Sequence, residues 1–180
     1  MSTNCQFAKG VRVSPTSRAT LRDTAQTIRR ALKLENKAYF PVVEFLEVMQ
    51  QTVEDFDFQI VTDDELPKGM FANYNPVTGI VSIKEKYYNM ACTGNGFARW
   101  TLLHECLHHI LHRNQMAALS RQDNEPHKPY EDSEWQADAL ACELLMPMGM
   151  LNENMSEKEV AETFGVSPKA ARNRLKVFDF

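Results

Sequence analysis

Apolar positions along the chain recur at two periods, and together these divide it into elements. Leu21, Ala25, Ile28 and Leu32 fall three to four residues apart, on one face of a helix, and Ser17 can cap it, so a helix is predicted over 18–34. A second helix, over 41–53, opens on Pro41, which suits a first turn, and turns Val42, Phe45, Leu46 and Met49 inward. Residues 56–61 alternate and end in a polar cluster, the pattern of a strand. Segments 70–74 and 80–85 flank Asn75-Pro76-Val77-Thr78-Gly79, which predicts a hairpin, with Tyr87 and Tyr88 closing its second strand by packing. These strands are expected to form a small antiparallel sheet. After the break at Gly94-Asn95-Gly96, Phe97, Trp100, Leu103, Leu107, Ile110 and Leu111 return to helical spacing. A polar, loop-like stretch over 114–130 follows. Trp135, Ala139, Cys142 and Leu145 or Met146 then mark a helix within 131–147. Ser156 and Glu159 form a capping box for a further helix, Gly165 stops it, and Ser167-Pro168 starts the last one.

The helix after the glycine break carries His104-Glu105-Cys106-Leu107-His108. Residues four apart on a helix share a face and differ by about one turn in height, so His104 and His108 aim their imidazoles at one point. That point suits a divalent metal, most often zinc, which accepts neutral histidine nitrogens. Glu105 stands at the edge of the same face, placed to reach a water on the metal rather than the metal. Zinc lowers the pKa of such a water from about 16 towards 7, and the carboxylate takes its proton as it attacks a carbonyl.

A zinc hydrolase needs a third protein ligand and an open fourth position. Glu134-Trp135-Gln136-Ala137-Asp138 offers one, because Glu134 and Asp138 are again four apart on one helical face. Glu134 is the expected ligand. Asp138 is the expected acceptor for a ligand histidine's N–H, a contact whose loss typically costs about 10–100-fold in affinity or activity. Asp132 and Glu143 are competing ligands. The chemistry also needs a donor for the tetrahedral oxyanion. His112, four after His108, drifts round the same side and is one candidate. His127 and Tyr130, in the polar stretch between the two helices, are others. Spacing does not choose among the three, and each has a structural reading: His112 in a last turn favoured by the helix dipole, the other two on a surface loop. Arg99 and Thr101 are expected to face solvent or neighbouring helices.

Two runs carry a family resemblance: Gly96-Phe97-Ala98-Arg99-Trp100-Thr101-Leu102-Leu103-His104-Glu105-Cys106-Leu107-His108-His109-Ile110-Leu111-His112, and Glu134-Trp135-Gln136-Ala137-Asp138-Ala139-Leu140-Ala141-Cys142-Glu143-Leu144-Leu145-Met146-Pro147. They resemble the ImmA/IrrE family of metallopeptidases, whose second motif reads Glu-x-x-Ala-(Asn/Asp)-x-x-Ala-x-x-Leu-Leu-Met-Pro. Weaker similarity extends from Gly10 to the C-terminus. The resemblance implies a zincin-like, gluzincin core, with one Zn2+ per chain held by His104, His108 and Glu134 and with Glu105 as base. It also implies a substrate: a helix-turn-helix repressor of a phage, mobile element or toxin–antitoxin operon. Cys106 replaces the small residue often found two before the second histidine and puts a thiol beside the site.

Length and composition set the frame for this α+β reading. A chain of 180 residues can bury one good core and carry a small appendage. The expected division is an N-terminal tail over 1–16, a peptidase domain over 17–150 and a helical extension over 151–180 packed on it. No run is long and apolar enough to span a membrane. The first ten residues lack the apolar core of an export signal. The four cysteines form no Cys-x-x-Cys pair and read as reduced thiols in a cytoplasmic protein.

The net charge of −4 is unevenly divided: residues 1–37 hold 8 Lys/Arg against 2 Asp/Glu, and the rest hold 12 against 22. The basic N-terminal helix is expected to present a solvated face packed near the acidic remainder. Gly94-Asn95-Gly96 is no phosphate loop. Residues 160–175 resemble a helix-turn-helix whose second helix would carry Lys169, Arg172, Asn173 and Arg174. A helical pair packed on the peptidase is favoured there over DNA binding, and it is also a candidate docking place for a substrate repressor. The hairpin reads equally as plain structure or as an edge that takes an extended peptide as an added strand. The alternative to proteolysis is a non-proteolytic regulator, or a toxin–antitoxin component, that binds a partner protein or DNA.

Overall fold

A computed structural model describes residues 10–119 and 126–176, with side chains left out of account at 116–119. Helix α1 spans Arg18–Ala31, and the Ser17 hydroxyl accepts the Thr20 N–H at its start. Leu21 and Ala25 are buried on its inner face. Arg29, also on α1, is buried because its guanidinium donates to backbone carbonyls, among them that of Leu34 at 3.0 Å. Helix α2 spans Val42–Thr52 and buries the four residues that the periodicity selects, Val42, Phe45, Leu46 and Met49.

Strands β1 (Asp57–Val61), β2 (Ala72–Asn75) and β3 (Ile80–Lys84) form one sheet in the order β1-β3-β2. β2 and β3 are the antiparallel hairpin, with Tyr74 opposite Val81. Its turn closes with Gly79 at φ 75°, where the Gly79 N–H donates to Asn75 O at 2.8 Å. A Cβ at Gly79 would strike the backbone oxygen of Asp55, so the turn requires glycine twice over. The expected all-antiparallel sheet is corrected here: β1 pairs with β3 in parallel, Phe58 opposite Val81. Segment 62–71 carries the chain past the end of the sheet to its far edge before the hairpin returns β3 to the middle. Alternation of apolar residues reports which face is buried and says nothing of strand direction.

Tyr87 and Tyr88 do not close a strand. They belong to helix α3, Glu85–Cys92, where Tyr87 packs on Phe71 and Tyr88 stacks on Phe58. Tyr87, Met90 and Ala91 have the helical spacing that reveals it.

Helix α4, Gly96–Leu119, is the axis of the molecule. Asn95 starts it, its Oδ1 accepting the N–H groups of Phe97 (3.1 Å) and Ala98 (3.0 Å). Ala98, Leu102, Leu103, Cys106 and Leu107 are completely buried. The helix continues through 114–119, the first six residues of the stretch expected to be loop. Cys106 faces this core, where burial pushes its thiol up, rather than the side of α4 that carries His104 and His108. Helix α5 spans Ser133–Leu145 behind an Asp132 cap, whose Oδ1 accepts the Trp135 N–H at 3.0 Å. Residues 10–16, expected as part of a tail, are bonded along the start of α5: the N–H of Gly10 donates to Asp132 Oδ2, that of Val11 to Ser133 Oγ, and that of Thr16 to Tyr130 O.

Helices α6 (Glu157–Phe164) and α7 (Pro168–Lys176) meet at Gly165, which is left-handed at φ 62°. Val160, Phe164 and Ala171 join the main core. Of the two placements expected for Arg99 of α4, the structure has the second, against neighbouring elements: it is buried, lies over the Tyr39 ring and donates to Phe164 O at the end of α6 at 3.2 Å. Arg174 of α7 is equally buried, against Glu143 of α5 at 2.8 Å. Among the described residues no helix is long and apolar enough to cross a membrane.

Candidate metal centre

Helices α4 and α5 lie against each other and bring together side chains thirty residues apart in sequence. His104 Nε2 is 3.0 Å from His108 Nε2 and 3.0 Å from Glu134 Oε2. His108 Nε2 is 3.2 Å from Glu134 Oε1. Ligand atoms from all three residues fall within 4.8 Å of one another. Donors bound to one tetrahedral ion at about 2.05 Å would stand about 3.3 Å apart, so the three are nearly at ligand spacing. Each is also a lone-pair donor of the kind zinc accepts. These residues fit a divalent cation.

Asp138 Oδ1 lies 3.0 Å from His104 Nδ1 and also accepts the Trp100 indole N–H at 3.3 Å. A carboxylate only accepts, so His104 carries a proton on Nδ1, and Nε2 is the nitrogen left to give its lone pair to a metal. Burial works against a charged His104, but hydrogen bonds to Asp138 and Glu134, with the carboxylates of Asp138 and Glu105, outweigh it and raise its pKa to about 10. Burial would raise the Glu134 carboxyl; hydrogen bonds to His104 and His108 reverse this and hold it far below the usual carboxylate range. Without a metal the centre therefore keeps a proton. Glu105 lies beside it with its carboxyl raised by burial, against the pull of His104 and His108 and a 2.8 Å bond from the Tyr74 N–H to Oε2.

Glu105, His108 and Glu134 open onto a cleft of about 560 Å³. Its other wall is residues 67–74, including Lys68, Asn73 and Tyr74, with Thr101 at its floor. Periodicity did not select this wall; only the position of β2 at the sheet edge puts it opposite α4. Ala72 and Tyr74 do not share the ladder pairing of Phe71 with Lys84, so their backbone groups face away from β3. The Tyr74 N–H pointing at Glu105 is one of them. The Tyr74 ring lies nearly parallel to His108 at 6.4 Å between centroids, with its hydroxyl 3.2 Å from His109 Nδ1.

None of His112, His127 and Tyr130 is among the residues lining this cleft. His112 is fully buried behind His108, its Nδ1 3.2 Å from His108 Nδ1 and its Nε2 3.1 Å from Gln136 Oε1. Burial and the neighbouring His108 lower its pKa to about 4, so it is neutral. His127 Nε2 is 2.7 Å from Asp132 Oδ2. Tyr130 lines a separate groove with Pro15, Arg18, Pro129 and Trp135. The competing ligands are also otherwise engaged: Asp132 caps α5, and Glu143 faces Arg174 and Arg22.

Residues 97–176 match the profile of a peptidase family, M78, described as the IrrE N-terminal-like domain. The matched segment takes in α4 from its second residue and all of α5, and so His104, Glu105, His108, Glu134 and Asp138. No curated protein matches the chain. Among solved structures, a Mycobacterium tuberculosis transcriptional regulator is similar in fold, with a TM-score of 0.58 at 15% identity. The similarity covers 90% of this chain and 48% of that one, so the present chain spans about half the length of the regulator.

Proposed function

Because the chain belongs to the ImmA/IrrE family through the segment that builds this centre, we propose that it is a zinc-dependent endopeptidase whose substrate is a helix-turn-helix repressor or antitoxin-type regulator. The observation that carries the chemistry is the convergence of His104, His108 and Glu134 at ligand spacing beside Glu105, on an open cleft. The identity of the substrate rests on the family resemblance.

His104, His108 and Glu134 would hold the ion, and Asp138 keeps the His104 ring turned towards it. The bound metal supplies Lewis acidity, which makes water nucleophilic at neutral pH and polarises a peptide carbonyl. Glu105 does the proton work. Tyr74 N–H occupies Oε2, so Oε1 takes the proton from the attacking water and passes it to the amine that leaves. Burial favours the protonated intermediate state of this carboxyl, which matches a group that must both take and return a proton. The outward edge of β2 offers backbone donors and acceptors to an extended substrate, which would lie across the cleft as an added strand.

General-base help of this kind is worth about 10²–10⁴-fold, so Glu105→Gln should bind metal and substrate yet cut at least a hundredfold more slowly. Wild type, Glu105→Gln and Glu134→Ala are each co-expressed with the helix-turn-helix regulators of the host, and metal content and regulator length are read together. We expect about one zinc per chain in the first two and little in the third. Wild type should shorten one regulator, and Glu105→Gln should retain it whole. Cleavage by Glu105→Gln at the wild-type rate, or a folded wild type that takes up no zinc when it is supplied, overturns the proposal. A regulator bound and left at full length by both wild type and Glu105→Gln would favour sequestration without cutting.

A further inference from the structure

We infer that Gln136, which touches neither metal nor substrate, decides which nitrogen of His108 faces the metal, and does so through His112. The inference rests on the metal-centre reading above and extends it.

A neutral imidazole carries one proton, and only its bare nitrogen can bind a metal. Asp138 makes the choice for His104. The partner of His108 is another imidazole: its Nδ1 lies 3.2 Å from His112 Nδ1. One of these two nitrogens must carry the proton, and the pair alone does not say which. If His112 carries it, His108 Nδ1 is bare, the proton of His108 sits on Nε2, and the ligand atom is blocked.

The far side of His112 settles the matter. His112 Nε2 is 3.1 Å from Gln136 Oε1. An amide can be turned end for end, and its partners decide which end is which. Gln136 Nε2 lies 2.9 Å from Ser14 O and 2.8 Å from Tyr130 O. Both are backbone carbonyl oxygens, which only accept, so the amide nitrogen must face them and both its protons are used. Turning the amide over would set three acceptor oxygens against one another. Oε1 therefore faces His112 and receives Nε2–H. His112 Nδ1 is then bare and accepts His108 Nδ1–H, and His108 Nε2 is left bare beside His104 Nε2 and Glu134 Oε1. Gln136 is 2% exposed and His112 not at all, so these neighbours rather than bulk water set the choice. Gln136 is a positioning residue, anchored by residue 14 of the N-terminal segment and residue 130 before α5.

Long-range proton–nitrogen correlation spectra of the histidine rings, taken on the whole chain with and without zinc, read the tautomers directly. In the zinc-loaded protein His108 should be protonated on Nδ1 with Nε2 shifted by the metal, and His112 protonated on Nε2. Gln136→Met keeps the length and removes the acceptor. It should mix the two forms of His112 and weaken zinc binding by about 10–100-fold in competition with a chelator. In a His112→Phe background, where the relay is already cut, Gln136→Met should change zinc affinity by less than about twofold. A proton on His112 Nδ1 in the wild type, or wild-type zinc affinity in folded Gln136→Met, overturns the inference. The wild-type spectrum decides the matter even if the variants do not fold. Zinc that leaves His108 Nε2 unshifted overturns the metal centre itself, and this inference with it.

Discussion

Two imidazoles and a carboxylate within hydrogen-bond distance of one another cannot all be bare without a positive charge among them. In the metal-free protein that charge is a proton, held on His104 with a pKa near 10 by Asp138 and Glu134. Zinc needs the same lone pair, so binding must displace the proton. The sign follows: His104 is protonated at any pH well below 10, and the competition eases as pH rises. Zinc affinity should therefore increase between pH 6.5 and 8.5 by up to about tenfold per unit for one displaced proton. Titration calorimetry at pH 7.5 in buffers of different protonation enthalpy should show about one proton released per zinc. Affinity that does not change over this range would mean that His104 is not a ligand. At this scale the pattern of residues was informative: spacing of four on a helix selected His104, His108, Glu134 and Asp138, and the structure brings all four together. Spacing could not reveal Gln136 or Tyr74. Their contacts are with Ser14, Tyr130 and Glu105, whose proximity is a product of the fold.

Helix α5, which carries Glu134, Gln136 and Asp138, is held near its C-terminal end by buried charge. Glu143, about two and a half turns along α5 from Glu134, faces Arg174 of α7 at 2.8 and 3.0 Å and Arg22 of α1 at 3.4 Å. Burial raises the Glu143 carboxyl, and the two arginines more than reverse it, leaving it below the usual range. Removing one partner of a buried pair strands the other charge, which typically costs 3–5 kcal/mol. Arg174→Met should cost about 3 kcal/mol, the low end, because Arg22 still faces Glu143. Urea unfolding of the metal-free protein measures it, and a loss below about 1 kcal/mol would show that the pair contributes little to holding α7 in place. With Arg174 buried against Glu143 and Arg172 bonded to Glu157 at 2.8 Å, two of the four residues that a DNA-reading helix would use are committed within the protein. Helix periodicity was readable along α1, α2, α4 and α5, and caps at Ser17, Ser156 and Ser167 and the stop at Gly165 marked α1, α6 and α7, whereas Asp132, read as a competing ligand, is the cap of α5. α3 was missed because it follows β3 without a break residue. The sequence left Arg99 open between solvent and neighbouring helices, because an arginine satisfied by the carbonyls of Phe40, Phe164 and Gly165 looks, in sequence, like any surface cation.

Across the whole molecule the metal would join α4, α5 and, through Gln136, the segment 10–16. A ligand bound only by the folded state adds RT ln(1 + [L]/Kd), about 4 kcal/mol at a thousand times Kd. For a chain of this size each kcal/mol moves the melting midpoint by about 2–4 °C. Adding zinc to stripped protein should then raise the midpoint by roughly 10 °C, and Glu134→Ala should abolish most of the rise. Differential scanning calorimetry tests this independently of any substrate. An equal rise in both proteins would place the zinc elsewhere. The division of charge has a plain outcome at this scale too: Arg12 and Arg22 from the basic N-terminal part pair with Glu131 and Glu143 of the acidic remainder.

Local rules decided much of this protein before any contact formed. The 3.6-residue period set which faces of the helices are buried, Ser17, Asp132 and Ser156 set where helices begin, and spacing of four set which side chains could converge. Those are properties of a few neighbouring residues, and they survive in any context that lets a helix form. Only the tertiary structure decided that β1 runs parallel to β3, that the edge of β2 walls the cleft, that His112 stands behind His108 rather than in the cleft, and that Gln136 Oε1 faces His112. Each of these depends on groups far apart in the chain, between which the sequence pattern carries no distance or direction, so it is settled only when α4 and α5 pack and bury them together.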